Sequence, residues 1–193
     1  ATYIGVANAY KSIGFIAGRT HHVLALRGAA GAADDKTNTE LQAGGVSGTS
    51  VELAPGLLVG DARRTFFVRG FAPGAQRGIR ALGASAEYRA PVSVPSWGKG
   101  FWPLFAQRTS VTLFGDAGAA WCPAGSARGV GCVAGATPRE WMASVGGEFT
   151  LDAAVLSYDV PYRLRLGYAR PVQGRSYADH PDGAVYFSLG ATF

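Results

Sequence analysis

Charge is scarce in this chain. Of 193 residues, 18 are Lys or Arg and 13 are Asp or Glu, 16% in all, where an ordinary soluble domain carries about 25%. Hydrophobic residues make up 48%, so the shortage does not signal disorder, which needs low hydrophobicity and high charge together. It does exclude an ordinary soluble helical domain, whose surface demands far more Lys and Glu. Lysine is scarcest, at Lys11, Lys36 and Lys99, and the remaining 15 of the 18 basic residues are arginine. The net charge of +5 would suit nucleic acid, but the arginines are scattered and no nucleic-acid motif accompanies them. No nucleic-acid partner is expected.

Long apolar runs are also missing. No window of about 18 to 20 residues is continuously apolar, which excludes a spanning helix. No signal peptide is visible, and the start at Ala1 rather than Met suggests a processed or truncated product. Cysteine occurs twice, at Cys122 and Cys132 in a Gly/Pro/Ala-rich loop. Without C-x-x-C spacing or a nearby histidine, zinc is not expected. A Cys122–Cys132 loop disulfide in an oxidising compartment is favoured over two free thiols.

Glycine, by contrast, is abundant at 28 residues, about twice its usual share of about 7%. No triplet repeat is present, so collagen is excluded. A weakly charged, apolar, glycine-rich chain of this length has room for one domain, with either few exposed faces or a face that does not meet water.

Helical periodicity is nearly absent, and alternation of period two recurs instead. In Tyr162–Ala169 one face carries Tyr162, Leu164, Leu166 and Tyr168, and the other Arg163, Arg165, Gly167 and Ala169. Ala184–Phe193, Trp141–Asp152, Arg80–Ala90 and Val111–Trp121 alternate in the same way. Tyr3–Lys11 and His21–Gly31 complete about seven strands of about ten residues, the length a tilted strand needs to cross a bilayer. Glu87, Asp116, Glu148 and Asp152 fall on the polar faces. Connections alternate between short turns and long loops, the long ones near 32–79, 122–138 and 171–183, as outer-membrane barrels require. A soluble β-sandwich would alternate too, but with a charged exterior that this composition cannot supply. The spacing predicts an all-β fold, a transmembrane antiparallel β-barrel. An eighth strand near Leu41–Leu58 would permit a small stand-alone barrel, and the aromatic-rich Pro95–Phe105 reads as a turn at the membrane boundary.

Four stretches in order resemble the BamA/TamA-like bacterial surface antigen family, of the outer-membrane insertase and translocase superfamily. Val68-Arg69-Gly70-Phe71 matches its V-R-G-F signature, and Glu87-Tyr88-Arg89-Ala90-Pro91 resembles its E-Y-R-x-P strand. Phe114-Gly115-Asp116-Ala117-Gly118-Ala119-Ala120-Trp121 resembles its F-x-D-x-G-x-x-W strand. The tail, with Phe187, Leu189 and terminal Phe193, resembles the outer-membrane β-signal.

The resemblance implies a sixteen-stranded barrel of which residues 1–193 are the C-terminal part. It further implies that 32–79 is an extracellular loop folded into the lumen. Arg69 should then meet Glu87 and Asp116, with Gly70 turning the chain and Phe71 packing beside it. Arginine suits such a lock because its planar fork holds a carboxylate bidentately and stays charged.

No catalytic constellation emerges. His21 and His22 point to opposite strand faces, His180 sits in a loop between Asp179 and Asp182, and no phosphate-binding loop is present. The chain reads as non-enzymatic, with no cofactor or metal. The expectation is an outer-membrane β-barrel module, in the bacterial cell outer membrane, serving protein assembly or translocation. Its partners would be outer-membrane lipid, client β-barrel or accessory assembly proteins, and the remaining barrel strands or another chain at its edges. The alternatives are an anchoring barrel for a separate periplasmic domain and a small stand-alone pore.

Overall fold

Alternating sequence becomes long strands in the computed structural model, which describes residues 1–16, 19–34, 39–46, 51–54, 57–59, 65–94, 97–98, 104–124, 138, 140–155 and 162–191. The strands are β1 (Thr2–Ile16), β2 (Arg19–Ala33), β3 (Leu41–Ala43), β4 (Val51–Ala54), β5 (Leu57–Val59), β6 (Thr65–Phe66) and β7 (Gln76–Gly78). They continue with β8 (Arg80–Ser93), β9 (Trp97–Gly98), β10 (Leu104–Trp121), β11 (Met142–Val155), β12 (Tyr162–Gln173) and β13 (Ala184–Ala191). Seven long strands form one antiparallel sheet in the order β1-β2-β8-β10-β11-β12-β13, with β9 paired to β10. Each long strand lies beside the next one in the chain, a plain meander.

The predicted strands are present, but several run past their expected ends. β10 begins at Leu104, so Phe105 belongs to a strand and pairs with Gly98 rather than lying in a turn. Among the described residues, the region near Leu41–Leu58 adds no strand to the large sheet. β3 joins β6 and β7 in a three-stranded sheet, and β4 pairs with β5.

The register lines up residue types in rows across the sheet. One row runs Ala90–Val111–Phe149–Leu166–Phe187, and another runs Leu24–Tyr88–Leu113–Gly147–Tyr168–Val185. This apolar face is open, with Phe187 62%, Leu113 57% and Leu166 54% exposed. The opposite face carries Thr112, Asp116, Ser144, Glu148, Thr150 and Asp152, and all of them are buried. Burial is therefore inverted relative to a water-soluble sheet, which hides apolar side chains and shows polar ones.

The segment between β2 and β8 covers part of the polar face. Leu41, Ala43, Phe66, Val68 and Phe71 from this segment form an apolar cluster with Ala81, Ala120 and Met142 of the large sheet. Burying side chains such as Leu41 and Phe66 stabilises the contact by about 1.5–3 kcal/mol each. Polar bonds fix its position. Gln76 donates to the Glu140 carbonyl and accepts from the Ala120 N–H, both at 3.0 Å. The Ile79 N–H donates to the Trp121 carbonyl at 3.1 Å.

Candidate functional site

The covered segment turns over at Gly70, whose φ of +85° is a left-handed conformation natural to glycine. That turn leaves Val68 and Phe71 in the apolar cluster and presents Arg69 to three successive rows of the polar face. The first row pairs Ser85 with Asp116, the second Glu87 with Phe114, and the third Thr112 with Glu148.

Asp116 receives the closest contacts. The Arg69 Nε and Nη2 donate to its two oxygens at 2.6 and 2.8 Å, and the Arg69 backbone N–H adds a bond at 3.2 Å. Nη2 also reaches Glu87 at 2.9 Å and Ser85 Oγ at 3.2 Å, and Ser85 donates to Asp116 at 2.7 Å. The guanidinium carbon lies 3.6 Å from the Phe114 ring centroid, a cation–π arrangement. Nη1 is 3.9 Å from Glu148. Arg69 is 7% exposed and Asp116 4%.

Flanking cations complete the balance. The Arg89 Nε and Nη2 both donate to Glu87 Oε2, at 2.8 and 2.6 Å, and Arg165 approaches Glu148 at 3.9 Å. Three guanidiniums, Arg69, Arg89 and Arg165, thus face three carboxylates, Glu87, Asp116 and Glu148. Burial works against the charge on Arg69. The hydrogen bond and charge of Asp116, with the charge of Glu87, more than offset it and hold Arg69 above the ordinary arginine range.

A cavity of about 760 Å³ lies against the polar face, with Arg69, Glu87 and Asp116 in its wall beside Arg27, Arg108, Asp152 and Arg163. Arg163 pairs bidentately with Asp152 at 2.7 and 3.0 Å. Among the described residues no group of His, Cys, Asp and Glu could hold a metal ion.

The structure therefore brings Arg69, Gly70, Phe71, Glu87 and Asp116 to one place. It adds residues not assigned to the site from the sequence: Ser85, Phe114, Glu148 and Tyr186, whose hydroxyl donates to Glu148 at 2.9 Å. Glu148 carried a signal, since it alternates onto the polar face just as Glu87 and Asp116 do. Of the terminal residues, Phe187 is on the open face, Leu189 pairs with Leu164, and Phe193 lies outside the described residues. Cys122 is buried and disulfide-bonded, while Cys132 lies outside the described residues. His180 is exposed in the β12–β13 connection, and the His22 ring bonds the Tyr88 hydroxyl at 2.7 Å.

No family model matches the chain, and no curated protein or solved structure matches it.

Proposed function

We propose that this chain is a transmembrane module of an outer-membrane β-barrel protein of the surface antigen type, with the 32–79 segment locked in the barrel lumen by Arg69. The observation that carries the reading is the inverted burial. A sheet with Leu113, Leu166 and Phe187 exposed and Asp116, Glu148 and Asp152 buried suits lipid outside and a polar interior. In water, such an open face would be a strong aggregation hazard. Among the described residues no helix is long and apolar enough to cross a membrane, so the crossing falls to the strands. Long strands of 12 to 18 residues from β1 to β12 exceed the roughly 9–11 that a tilted crossing needs.

The work of the module is protein assembly or translocation in the outer membrane. This part of the reading rests on the ordered motifs and on two sheet edges: among the described residues β1 and β13 each have one neighbour in the sheet. Unpaired edges are templates for a further strand, whether from the rest of a barrel or from a client.

Depletion of the full-length protein, with outer-membrane protein levels scored, tests the activity. A fall in several β-barrel proteins is expected, and unchanged levels would reject assembly while leaving the anchoring role. Fractionation tests the location separately: recovery in the outer membrane, resistant to carbonate extraction, is expected, and recovery in a soluble fraction would overturn the whole reading.

A further inference from the structure

The ionic network does not stop at the strands that face Arg69. Glu148 Oε2 accepts from the Tyr186 hydroxyl at 2.9 Å and lies 3.9 Å from Arg69 Nη1, so one carboxylate oxygen serves both groups. Tyr186 is on β13 and Glu148 on β11, with β12 between them. To reach Glu148 the phenol must cross β12, and it crosses at Gly167. Gly167 is in register with Glu148 on one side and with Tyr186 on the other. A Cβ at Gly167 would collide with the Tyr186 ring, so the absence of a side chain there is what opens the path.

β13 is where such a tie matters most. It is the shortest of the seven long strands, at eight residues, and among the described residues it pairs with β12 alone. Backbone pairing along one short edge is a weak hold, and terminal elements open at low free energy. A charge-assisted bond from β13 to a buried carboxylate adds a hold that bypasses β12.

We propose that Tyr186 is a positioning residue that ties the terminal strand β13 to the Arg69 lock through Glu148, so that seating of the 65–79 segment and docking of β13 favour each other. The coupling is reciprocal by thermodynamic linkage: whatever displaces Arg69 loosens β13, and whatever pulls β13 away weakens the lock. An opening at this sheet edge is thereby linked to the seating of a segment that lies outside the large sheet.

Amide hydrogen exchange in the full-length protein, reconstituted in outer-membrane lipid vesicles, reads the coupling directly. Tyr186→Phe keeps the ring and removes the bond, and is expected to speed exchange across 184–191 by about tenfold, with β8 and β10 unchanged. Arg69→Met, which leaves the Tyr186 hydroxyl and Glu148 in place, is expected to speed the same amides. The double variant should exchange no faster than the faster single one, because both substitutions act on one linkage. Unchanged β13 exchange in Arg69→Met, or effects that multiply in the double variant, would overturn the proposal. Should Arg69→Met fail to assemble, Glu148→Ala replaces it. Glu148→Ala should match Tyr186→Phe on β13 and gain nothing from being combined with it, and multiplied effects there would overturn the proposal equally.

Discussion

Arg69 illustrates how much one side chain can organise when it is buried among acids. Its fork satisfies both Asp116 oxygens while one of its nitrogens also reaches Glu87, an arrangement an ammonium cannot copy. Replacing it strands Asp116, whose side chain is 2% exposed, without a counter-charge. Arg69→Met is expected to destabilise the folded state by about 3–5 kcal/mol, and Arg69→Lys by about 1–3 kcal/mol. Urea unfolding in vesicles measures both, and equal stabilities for Arg69→Lys and the parent would refute the fork argument. The pH dependence follows from the sign of the shift. Because the folded state raises the Arg69 value, its contribution is complete below the ordinary arginine value and is lost only above it. Stability differences between parent and Arg69→Met should therefore show no loss from arginine deprotonation between neutral pH and about pH 11. At this scale the sequence was informative about type and face: alternation put Glu87, Asp116 and Glu148 on polar faces. It could not say that Tyr186 reaches Glu148, because that contact depends on a ring crossing an intervening strand.

At the scale of the element, glycine and aromatic residues work as pairs. Phe114 is in register with Gly146 and Tyr186 with Gly167, and each ring occupies the space that a Cβ would need. Gly167→Ala is expected to expel the Tyr186 ring and lower the unfolding free energy by about 1–3 kcal/mol. In a Tyr186→Ala background the same change should cost little. A full cost in both backgrounds would dissociate Gly167 from the tyrosine. The open face has its own test: Leu113→Arg should cost about 2–4 kcal/mol in a bilayer, against a few tenths on a water-exposed surface. Strand existence was legible because one face alternates over eight or more residues. Strand ends were less so: β10 starts seven residues before Val111, through Leu104–Ser110, where backbone pairing continues although the apolar alternation has stopped. β3, β6 and β7 span two or three residues each, too few to show any period.

At the scale of the whole molecule, connections on the two ends of the sheet differ in length. The β1–β2, β8–β10 and β11–β12 connections lie at one end, and the segments joining β2 to β8, β10 to β11 and β12 to β13, longer taken together, lie at the other. In an outer-membrane barrel the longer set faces outward. An epitope inserted between Asp179 and His180, in the exposed β12–β13 connection, should be detected on intact cells. One inserted between residues 158 and 159 should need permeabilised cells. The reverse pattern would invert the topology.

The sequence alone determined the class of structure. Its charge shortage, its glycine and its period of two require strands with one apolar and one polar face, and these are local properties that every residue carries by itself. What the tertiary structure decided is which polar residues meet. Whether Arg69 finds Asp116, and whether Tyr186 finds Glu148 across Gly167, depends on register between strands and on where the β2–β8 segment settles. Those are relations between distant residues, fixed by packing a cluster such as Leu41, Phe66, Val68 and Met142, and no single stretch of chain contains them. The opening scarcity of charge gains its meaning there, since three of the thirteen acids, Glu87, Asp116 and Glu148, are gathered around one arginine.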